Sequence, residues 1–329
     1  MIKQALIATA GAVGAWPLSR RLTRNVPRIF LLHRFAAEPK DRFTAAEDLV
    51  RFIHRVGREC EFVTVREIVA RLDRDETPHR PLAAITVDDG YEDFYSVALP
   101  VLIEQGIPAT LYATAGFVDG RCWLWWDALR YLIDRQPNGK LYLEVAGQIV
   151  SAELDGPASR QAVWSTIADL LVTKNEERGR VIARLETSMQ AELPAQLPAE
   201  YAPMSWSQLA AAEDAGIEIG GHTMTHAFLP ALDDSALRYE LVDAKRLMER
   251  HLRDPVTTFA YPNGMHYDVN PSVAQAVEAA GFAAAVLAYP RRFRRRERYQ
   301  LGRWSACCDD PCLGSILSGA SIIKTELGL

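Results

Sequence analysis

Short runs of apolar and β-branched residues alternate with amphipathic stretches from residue 28 onward. Continuous apolar runs are typical of strands buried on both faces, and a 3.6-residue periodicity is typical of the helices that cover them. The runs predict strands at residues 28–33, 61–65, 82–87, 108–114, 217–220, 257–261 and 282–289. The stretches between them predict helices at 44–57, 92–105, 206–215, 233–252 and 271–280. Thr44, followed by Glu47 at the capping-box position, is expected to cap the first of these helices.

Strands that alternate with helices predict an α/β protein with a parallel sheet, which this pattern allows to be doubly wound or closed as a barrel. One long segment interrupts the alternation. It contains WLWWD (123–127), an Asn138-Gly139 turn, a polar helical stretch at 158–191 and an Ala- and Pro-rich stretch at 192–203. We interpret residues 120–203 as a mainly helical insertion over one end of the sheet.

The composition is that of an ordinary globular protein, with 49% hydrophobic and 24% charged residues in 329. These proportions exclude a disordered chain, a collagen-like repeat and a small disulfide scaffold. A net charge of −5 argues against a nucleic-acid-binding protein. The odd number of cysteines, 5, suits a reducing compartment, and we interpret Cys307, Cys308 and Cys312 as free thiols.

Two segments are candidates for contact with a membrane. Residues 1–24 combine an apolar run with Arg20, Arg21 and Arg24, which favours an interfacial helix with a basic end over a cleaved signal or a frayed terminus. The arginine-rich run at 291–298 could meet lipid phosphates or an anionic glycan, or form a solvated loop. We expect a cytoplasmic protein in peripheral contact with a membrane through these segments; the alternative is export through an uncleaved N-terminal segment.

The first chemical feature is TVDDGY (86–91), which directly follows an apolar run. Active sites of α/β proteins lie at the carboxyl ends of such strands. Adjacent carboxylates point in different directions, so one of Asp88 and Asp89 could bind a metal ion while the other acts as a base. The plain alternative is an ordinary Asp-Gly turn.

The second feature is GGHTMTH (220–226), which places His222 and His226 four residues apart. Two such histidines can converge on one metal ion, although an HxxxH pair is often just two surface or core histidines. Two histidines and one carboxylate together make three ligands with open positions, the arrangement of a hydrolytic site in which bound water has a pKa of about 7. A third feature, FAYPNG (259–264), is a turn whose backbone N–H groups could bind an oxyanion.

In this order, the three motifs resemble those of the polysaccharide deacetylases (the chitooligosaccharide-deacetylase homology domain, carbohydrate esterase family 4). The resemblance runs from about residue 28 to 318 and includes LLHRF at 31–35. It implies a distorted (β/α) barrel of about seven parallel strands over residues 25–320, with a tail at 321–329. It also implies that a divalent metal ion assists removal of an acyl group from a sugar.

Carried over residue by residue, the resemblance makes Asp89, His222 and His226 the metal ligands. Zn²⁺ is the expected ion, with Co²⁺, Ni²⁺ or Fe²⁺ as alternatives. Asp88 would be the catalytic base, and the backbone N–H of Asn263 would help to stabilise the tetrahedral oxyanion.

The chain also departs from the family pattern. Ala260 and Asn263 stand where the third motif usually carries an Arg and a Tyr, so the Arg that orients the base is missing or is supplied from elsewhere. The late Leu-x-His motif that supplies the general acid is absent, because no histidine follows His266. A subgroup of exopolysaccharide deacetylases takes its acid from a histidine at the end of the first strand. His33 matches that position and is our candidate acid; otherwise it is a hydrogen-bonded structural residue.

Further candidates would contact the substrate. The three tryptophans at 123–126 could stack on a sugar or anchor the insertion, and Asp127 could line the site or cap a helix. Arg303 falls where related sequences often have a basic residue near the substrate. The substrate-binding candidates are Tyr91, Trp126, Asp127, Tyr261 and Arg303.

The sequence therefore predicts a hydrolase that removes an N-acyl group, acetyl or formyl, from an amino sugar of a polysaccharide or glycolipid. Its partner would be a glycan or a lipid-linked sugar, and not a nucleic acid. The alternative from another class is a non-catalytic glycan-binding or pathway-scaffold protein that retains the fold.

Overall fold

A computed structural model describes residues 15–190, 192–291, 293–294, 296–306 and 310–327. Short strands that alternate with helices make up most of this part of the chain. Its strands are β1 (Arg28–Leu32), β2 (Phe35–Ala36), β3 (Thr44–Ala45), β4 (Glu61–Phe62), β5 (Leu82–Asp89), β6 (Ala109–Ala113), β7 (Gly139–Val145), β8 (Gln148–Leu154), β9 (Glu218–Gly221), β10 (Thr258–Ala260), β11 (Ala284–Val286) and β12 (Trp304–Ser305).

The main sheet is parallel, with the order β11-β10-β9-β6-β5-β1-β12, and β4 pairs with the beginning of β5. Its two ends are connected by one segment of chain. Leu301 exchanges backbone hydrogen bonds with Ala285 and Leu287 beside β11, and three residues later Trp304 pairs with Phe30 of β1. The sheet therefore curls into the expected distorted (β/α) barrel, with seven strands along the path.

Helices and helical turns connect and cover the strands. The helices are Ala15–Leu22, Ala46–Gly57, Val65–Asp73, Leu99–Gln105, Ala115–Val118, Trp125–Arg135, Pro157–Leu171, Asn175–Met189, Trp206–Asp214, Asp234–Arg238, Ala244–Glu249, Pro271–Ala279, Asp310–Leu317 and Ala320–Leu327. Wider π-helical turns lie at Phe94–Ala98 and Tyr239–Asp243, and 3₁₀ turns lie at Ala199–Tyr201, Leu229–Ala231 and Arg298–Gln300.

All of the predicted strands are present, although most are shorter than the apolar runs. The predicted cap of the first helix is wrong. Thr44 belongs to β3, where it pairs with Phe35, and its backbone N–H donates to the carbonyl of Arg34. The helix begins at Ala46 without a side-chain cap, because Thr44 is held in an extended conformation by this pairing.

The insertion has its own hydrophobic cluster, built from three helices and a hairpin. The three helices pack against one face of the hairpin formed by β7 and β8; they are Trp125–Arg135, Pro157–Leu171 and Asn175–Met189. Buried positions alternate with exposed ones along β7, as expected for a sheet covered on one side. The hairpin turn is formed by Ala146 and Gly147, with φ of 49° and 79°, while Asn138-Gly139 only leads into β7.

The two terminal helices pack together. Ser19 of Ala15–Leu22 donates a hydrogen bond from its hydroxyl to the carbonyl of Ser318 at 2.6 Å, and Ile322 of Ala320–Leu327 is buried. A helix thus occupies most of the segment expected to be a tail. Residues 1–14, Arg292, Arg295, Cys307 and Cys308, which belong to the membrane and thiol interpretations, lie outside the described residues. Within the described ranges, no helix has the length and apolarity needed to cross a membrane.

Candidate metal and catalytic site

Three predicted ligands meet at the carboxyl end of the barrel. Asp89 ends β5, and His222 and His226 lie in the loop that follows β9. One potential ligand atom from each side chain falls within 4.8 Å of the others. Nε2 of His222 is 3.5 Å from Oδ1 of Asp89, and Nε2 of His226 is 3.8 Å from the same oxygen. All three residues are at most 5% exposed.

The backbone at these ligands adopts unusual conformations. Asp89, Thr223 and His226 have φ of 79°, 68° and 57°, a left-handed region that costs non-glycine residues free energy. Such strain persists only where surrounding contacts enforce it. Here the hydroxyl of Thr223 accepts a hydrogen bond from the backbone N–H of His226 at 2.9 Å.

A buried carboxylate holds the same loop from outside. Glu240 accepts hydrogen bonds from the backbone N–H groups of Met224 and Thr225, both at 2.9 Å, and from the Thr225 hydroxyl at 2.6 Å. Glu240 is only 5% exposed. Because these two residues lie between the histidines, Glu240 fixes the path of the chain from one ligand to the next.

The chemistry of the three donors suits a divalent metal ion. Nδ1–H of His222 donates a hydrogen bond to the carbonyl oxygen of Ala260 at 2.7 Å, so Nε2 is the ring atom that faces Asp89 and is available to a metal ion. Burial and the neighbouring His222 lower the pKa of His226, so this imidazole is neutral. Burial by itself lowers the pKa of His222, but the hydrogen bond to Asp89 and the charges of Asp88 and Asp89 outweigh it, so the pKa lies above its ordinary value. A metal ion would displace this proton and be held by two neutral imidazoles and one carboxylate, a ligand set of catalytic zinc sites with open positions for water and substrate.

The predicted base, Asp88, forms a buried ion pair with Arg303. The two terminal nitrogens of the guanidinium donate to the two carboxylate oxygens at 2.6 and 2.7 Å. Burial by itself raises the pKa of Asp88, but the charge of Arg303 outweighs it, so the pKa lies below its ordinary value. Asp88 still lines the cavity described below.

Arg303 was expected to contact the substrate, and the structure places it elsewhere. Its side chain is fully buried and also donates to the carbonyl of Leu287 at 2.8 Å and to the hydroxyl of Thr86 at 3.0 Å. It lies on the segment that connects the ends of the sheet. Arg303 thus holds Asp88 in one orientation, a contact that the family resemblance would assign to an Arg at the position of Ala260. Tyr261 was also expected at the substrate, but it is 1% exposed and donates its hydroxyl to the carbonyl of Tyr299.

His33 follows β1 and lines the same cavity, with an exposed side chain. Its neighbour Arg34, which sequence reasoning missed, stacks its guanidinium 3.8 Å from the centre of the Tyr91 ring. Arg34 also donates to Asp93 at 2.6 Å, so its position is fixed. The backbone next to the candidate acid is anchored through Arg34 to the segment that follows β5, which ends in Asp88 and Asp89.

Asn263 lies in a turn after β10, lines the cavity and has φ of 54°. Its side-chain amide donates to Asp268 at 3.0 Å, and the same carboxylate accepts from the backbone N–H of Met265 at 2.6 Å. Burial raises the pKa of Asp268 to about 6. Asp268 therefore braces the turn whose backbone was predicted to bind the oxyanion.

Three of the predicted substrate-binding residues form one hydrogen-bonded group. Tyr91 donates its hydroxyl to Asp127 at 2.5 Å and accepts from the indole of Trp126 at 3.1 Å. Burial raises the pKa of Asp127 to about 7. The Trp126 ring meets the His226 ring edge-on, with centroids 4.4 Å apart. The insertion thus contributes a wall directly beside the three predicted ligands.

The site opens into a cavity of about 920 Å³ between the barrel and the insertion. It holds all three ligands, Asp88, His33 and Asn263, together with Tyr91, Trp126 and Asp127. It is also lined by residues that sequence reasoning missed: Arg34, Lys40 and Arg42 from the chain after β1, and Arg130, Trp164 and Tyr201 from the insertion.

Comparison with known proteins gives one family match. The family model described as polysaccharide deacetylase matches residues 75–138 and 180–285. The match leaves out residues 139–179, which include the hairpin and the helix Pro157–Leu171. A comparison with curated proteins found no match.

Several solved structures have a similar fold. The Streptococcus pyogenes deacetylase PplD in complex with acetate has a TM-score of 0.55 at 15% identity, over 92% of this chain and 97% of that one. IcaB from Ammonifex degensii has a TM-score of 0.54 at 16% identity, over 89% and 97%. The de-N-acetylase from Aggregatibacter actinomycetemcomitans has a TM-score of 0.53 at 14% identity, over 86% and 95%. At these identities the likeness is one of fold.

Proposed function

The chain belongs to the polysaccharide deacetylase family, and from that premise we propose that it removes an N-acyl group from an amino sugar of a polysaccharide or glycolipid with the help of a divalent metal ion. The observation that carries this proposal is the buried set of Asp89, His222 and His226 beside Asp88, at the base of a cavity large enough for a glycan. Zn²⁺ is the proposed ion, because imidazole and carboxylate ligands in a site with open positions suit it.

Such an ion would polarise the acyl carbonyl and lower the pKa of a water molecule to about 7. Asp88 would accept the proton of the attacking water. Arg303 engages both oxygens of Asp88 from the buried side, so the carboxylate stays ionised and keeps one orientation toward the cavity. A base held in this way spends no free energy on reorientation during the reaction.

Two further residues that line the cavity would supply the other catalytic roles. The backbone N–H of Asn263 would donate to the oxyanion, and Asp268 keeps this turn in its left-handed conformation. His33 would donate a proton to the amine that leaves with the sugar. The His33 ring is exposed and lines the cavity. This position suits a general acid, because the acid must reach the leaving nitrogen while the acyl group lies beside the ligands.

The acyl group is proposed to be acetyl or formyl. The similarly folded S. pyogenes deacetylase was solved in complex with acetate. This observation supports an acetyl group over a longer acyl chain.

The test uses the purified full chain. We expect about one equivalent of a divalent metal ion by elemental analysis, and release of acetate or formate from N-acylated amino sugars. His222→Ala should lose both the metal ion and the activity, and Asp88→Asn should keep the ion and lose the activity. His54→Ala, an exposed histidine on the helix Ala46–Gly57, is the matched control. Full activity of His222→Ala would overturn the proposal.

A further inference from the structure

The two candidate histidine ligands are oriented in different ways. Nδ1 of His222 donates to the carbonyl of Ala260 at 2.7 Å, the kind of hydrogen bond that usually fixes the ring of a metal-binding histidine. Nδ1 of His226 is also buried, but it has no hydrogen-bond partner among the described residues. The His226 ring contacts the rings of Trp126 and His222 edge-on. The direction of the His226 side chain is therefore set mainly by its own backbone.

The backbone of His226 is held at both of its polar groups. Its N–H donates to the hydroxyl of Thr223 at 2.9 Å, and its carbonyl accepts a hydrogen bond from the guanidinium of Arg178 at 3.1 Å. These groups belong to the peptide planes on either side of the Cα atom, so the two bonds together hold His226 at its φ of 57°. A left-handed conformation of a non-glycine residue persists only where such contacts enforce it.

Arg178 belongs to the insertion, where it lies in the first turn of the helix Asn175–Met189. Its side chain is buried, and the whole residue is only 6% exposed. Besides the carbonyl of His226, the guanidinium donates to the carbonyls of Leu171 and Val172 at 3.1 and 2.5 Å, at the end of the preceding helix. Carbonyls at a helix end lack partners within the helix. One side chain thus joins the end of one insertion helix, the start of the next and the ligand loop.

Asn175 makes a second contact with the same loop. Its side-chain amide donates to the carbonyl of Phe228 at 2.9 Å and accepts from the backbone N–H of Phe228 at 2.8 Å. Phe228 follows His226 by two positions, so the chain is held again directly after the ligand. Asn175 and Arg178 are not part of the cavity lining, so they act on the site through the loop and not through the substrate. Both lie within residues 139–179, which the family match leaves out.

We propose that Arg178 and Asn175 are positioning residues for His226, through which the insertion completes the metal site. The barrel itself orients His222, whereas His226 can turn away from Asp89 once its contacts with the insertion are lost. Metal binding and the docking of the insertion on the loop are therefore linked, and such linkage acts equally in both directions. This inference rests on the proposed function, since it requires His226 to bind the metal ion.

The first test measures the zinc affinity of the full chain by competition with a chromophoric chelator. Arg178→Ala should lower the affinity about 10- to 100-fold, as is typical when a group that orients a metal ligand is removed. Asn175→Ala, a milder change at a half-buried position, should lower it about 3- to 10-fold, the equivalent of a lost hydrogen bond.

Arg160→Ala and Asn138→Ala are the matched controls. These two side chains bond to each other at 2.8 Å within the insertion, outside the cavity lining. Arg160 also donates to the carbonyl of Ile133 at 2.7 Å, so its replacement likewise removes contacts between insertion elements. Both controls should bind zinc as the wild type does.

A spectroscopic readout separates positioning from a general loss of stability. With Co²⁺ in place of zinc, visible absorption reports the geometry of the ligands. Arg178→Ala should shift or weaken these bands. Arg160→Ala should reproduce the wild-type spectrum, even where the two variants unfold at similar urea concentrations.

The wild type alone gives an answer if Arg178→Ala does not fold. Zinc should slow hydrogen exchange of backbone amides both in the loop 222–228 and at the start of the helix Asn175–Met189, because the two are linked. Protection confined to the loop would overturn the proposal, as would wild-type zinc affinity in both Arg178→Ala and Asn175→Ala. In those cases the proposed function stands, because the wild type still binds zinc. A wild type that binds no zinc would overturn both proposals.

Discussion

Arg303 and Asp88 form a two-pronged ion pair inside the barrel, although 215 positions separate them in the sequence. Arg303 is fully buried and Asp88 is 3% exposed. The guanidinium is itself fixed by Leu287 and Thr86. Because attraction between buried charges compensates for their desolvation only with such geometry, the two residues depend on each other.

Removal of Arg303 alone should therefore cost much stability. We expect Arg303→Ala to lower the free energy of unfolding by about 3–5 kcal/mol, because it leaves the Asp88 carboxylate buried without a partner. The double variant Arg303→Ala/Asp88→Asn should recover part of this loss, since its buried side chain is neutral. Urea denaturation measures both. Arg253→Ala, which breaks an exposed pair with Asp214, should change stability by less than about 1 kcal/mol. Equal losses in the single and double variants would contradict the argument.

The sequence was sufficient to predict the parts of the site that follow strand ends. Parallel strands bring their carboxyl ends to one edge of the sheet. Four predicted residues lie at or within a few residues of such ends: Asp88, Asp89, His222 and His226. The strand and helix pattern allowed either a doubly wound sheet or a barrel, and the family resemblance implied the barrel of about seven strands that is found. The role of Arg303 was not predictable, because it depends on how one segment closes the sheet between β11 and β1.

The insertion shows the same limit. Its amphipathic pattern predicted helices, but the position of a helix relative to the barrel is set by long-range packing. Trp164 was not singled out, since nothing in its local sequence distinguishes a residue that lines the cavity from one that packs inside the insertion. Trp123 illustrates the latter: it packs on Tyr131 and Tyr201 and lies outside the cavity lining.

Glu240 should control metal affinity without binding the metal ion. Glu240→Gln keeps the shape of the clamp on Met224 and Thr225 but removes the negative charge of the acceptor, and charge-assisted hydrogen bonds are roughly twice as strong as neutral ones, so the loop that carries His226 is held less tightly. We expect zinc affinity to fall about 10- to 100-fold, as is typical when a group that orients metal ligands is changed. Competition with a chromophoric chelator measures it.

Glu213 offers a matched control for this prediction. It is 7% exposed and accepts two backbone N–H groups, of Arg253 and Asp254, at 2.8 and 2.9 Å, but it is not part of the cavity. Glu213→Gln should lower stability to a similar degree and leave zinc affinity unchanged. If both variants bind zinc as tightly as the wild type, Glu240 has no role in the site.

Asp127 should make stability depend on pH. Its pKa is 3.8 ordinarily and about 7 in the folded chain, so the folded state binds the proton more tightly than the unfolded state. The resulting stabilisation is complete below pH ~4 and is lost as pH rises through ~7. Asp127→Asn has no carboxyl group to ionise at this position, so it does not lose stability in this way as the pH rises. Relative to the wild type, it should therefore gain about 2–4 kcal/mol between pH 4 and pH 8.

Thermal or urea unfolding at both pH values, in the presence of a chelator, measures this difference. Asp155→Asn, at an exposed position of the insertion, should track the wild type throughout. A constant difference between Asp127→Asn and the wild type across the range would show that Asp127 titrates normally in the folded protein.

The loss of activity on replacing His33 should be larger for a substrate whose leaving group must be protonated. An amine leaves an amide only when it is protonated, whereas nitrophenolate leaves an ester without help. His33→Gln should therefore lower kcat on an N-acetylated sugar about 10²- to 10⁴-fold and affect hydrolysis of p-nitrophenyl acetate far less. Asp88→Asn should slow both reactions, because both need the attacking water to lose a proton.

His33→Gln should also bind zinc as the wild type does, since His33 is not among the three ligands. His54→Gln controls for the loss of a histidine elsewhere on the surface. Equal losses of His33→Gln on the amide and the ester would assign His33 to binding or positioning, and the general acid would have to be sought elsewhere in the cavity.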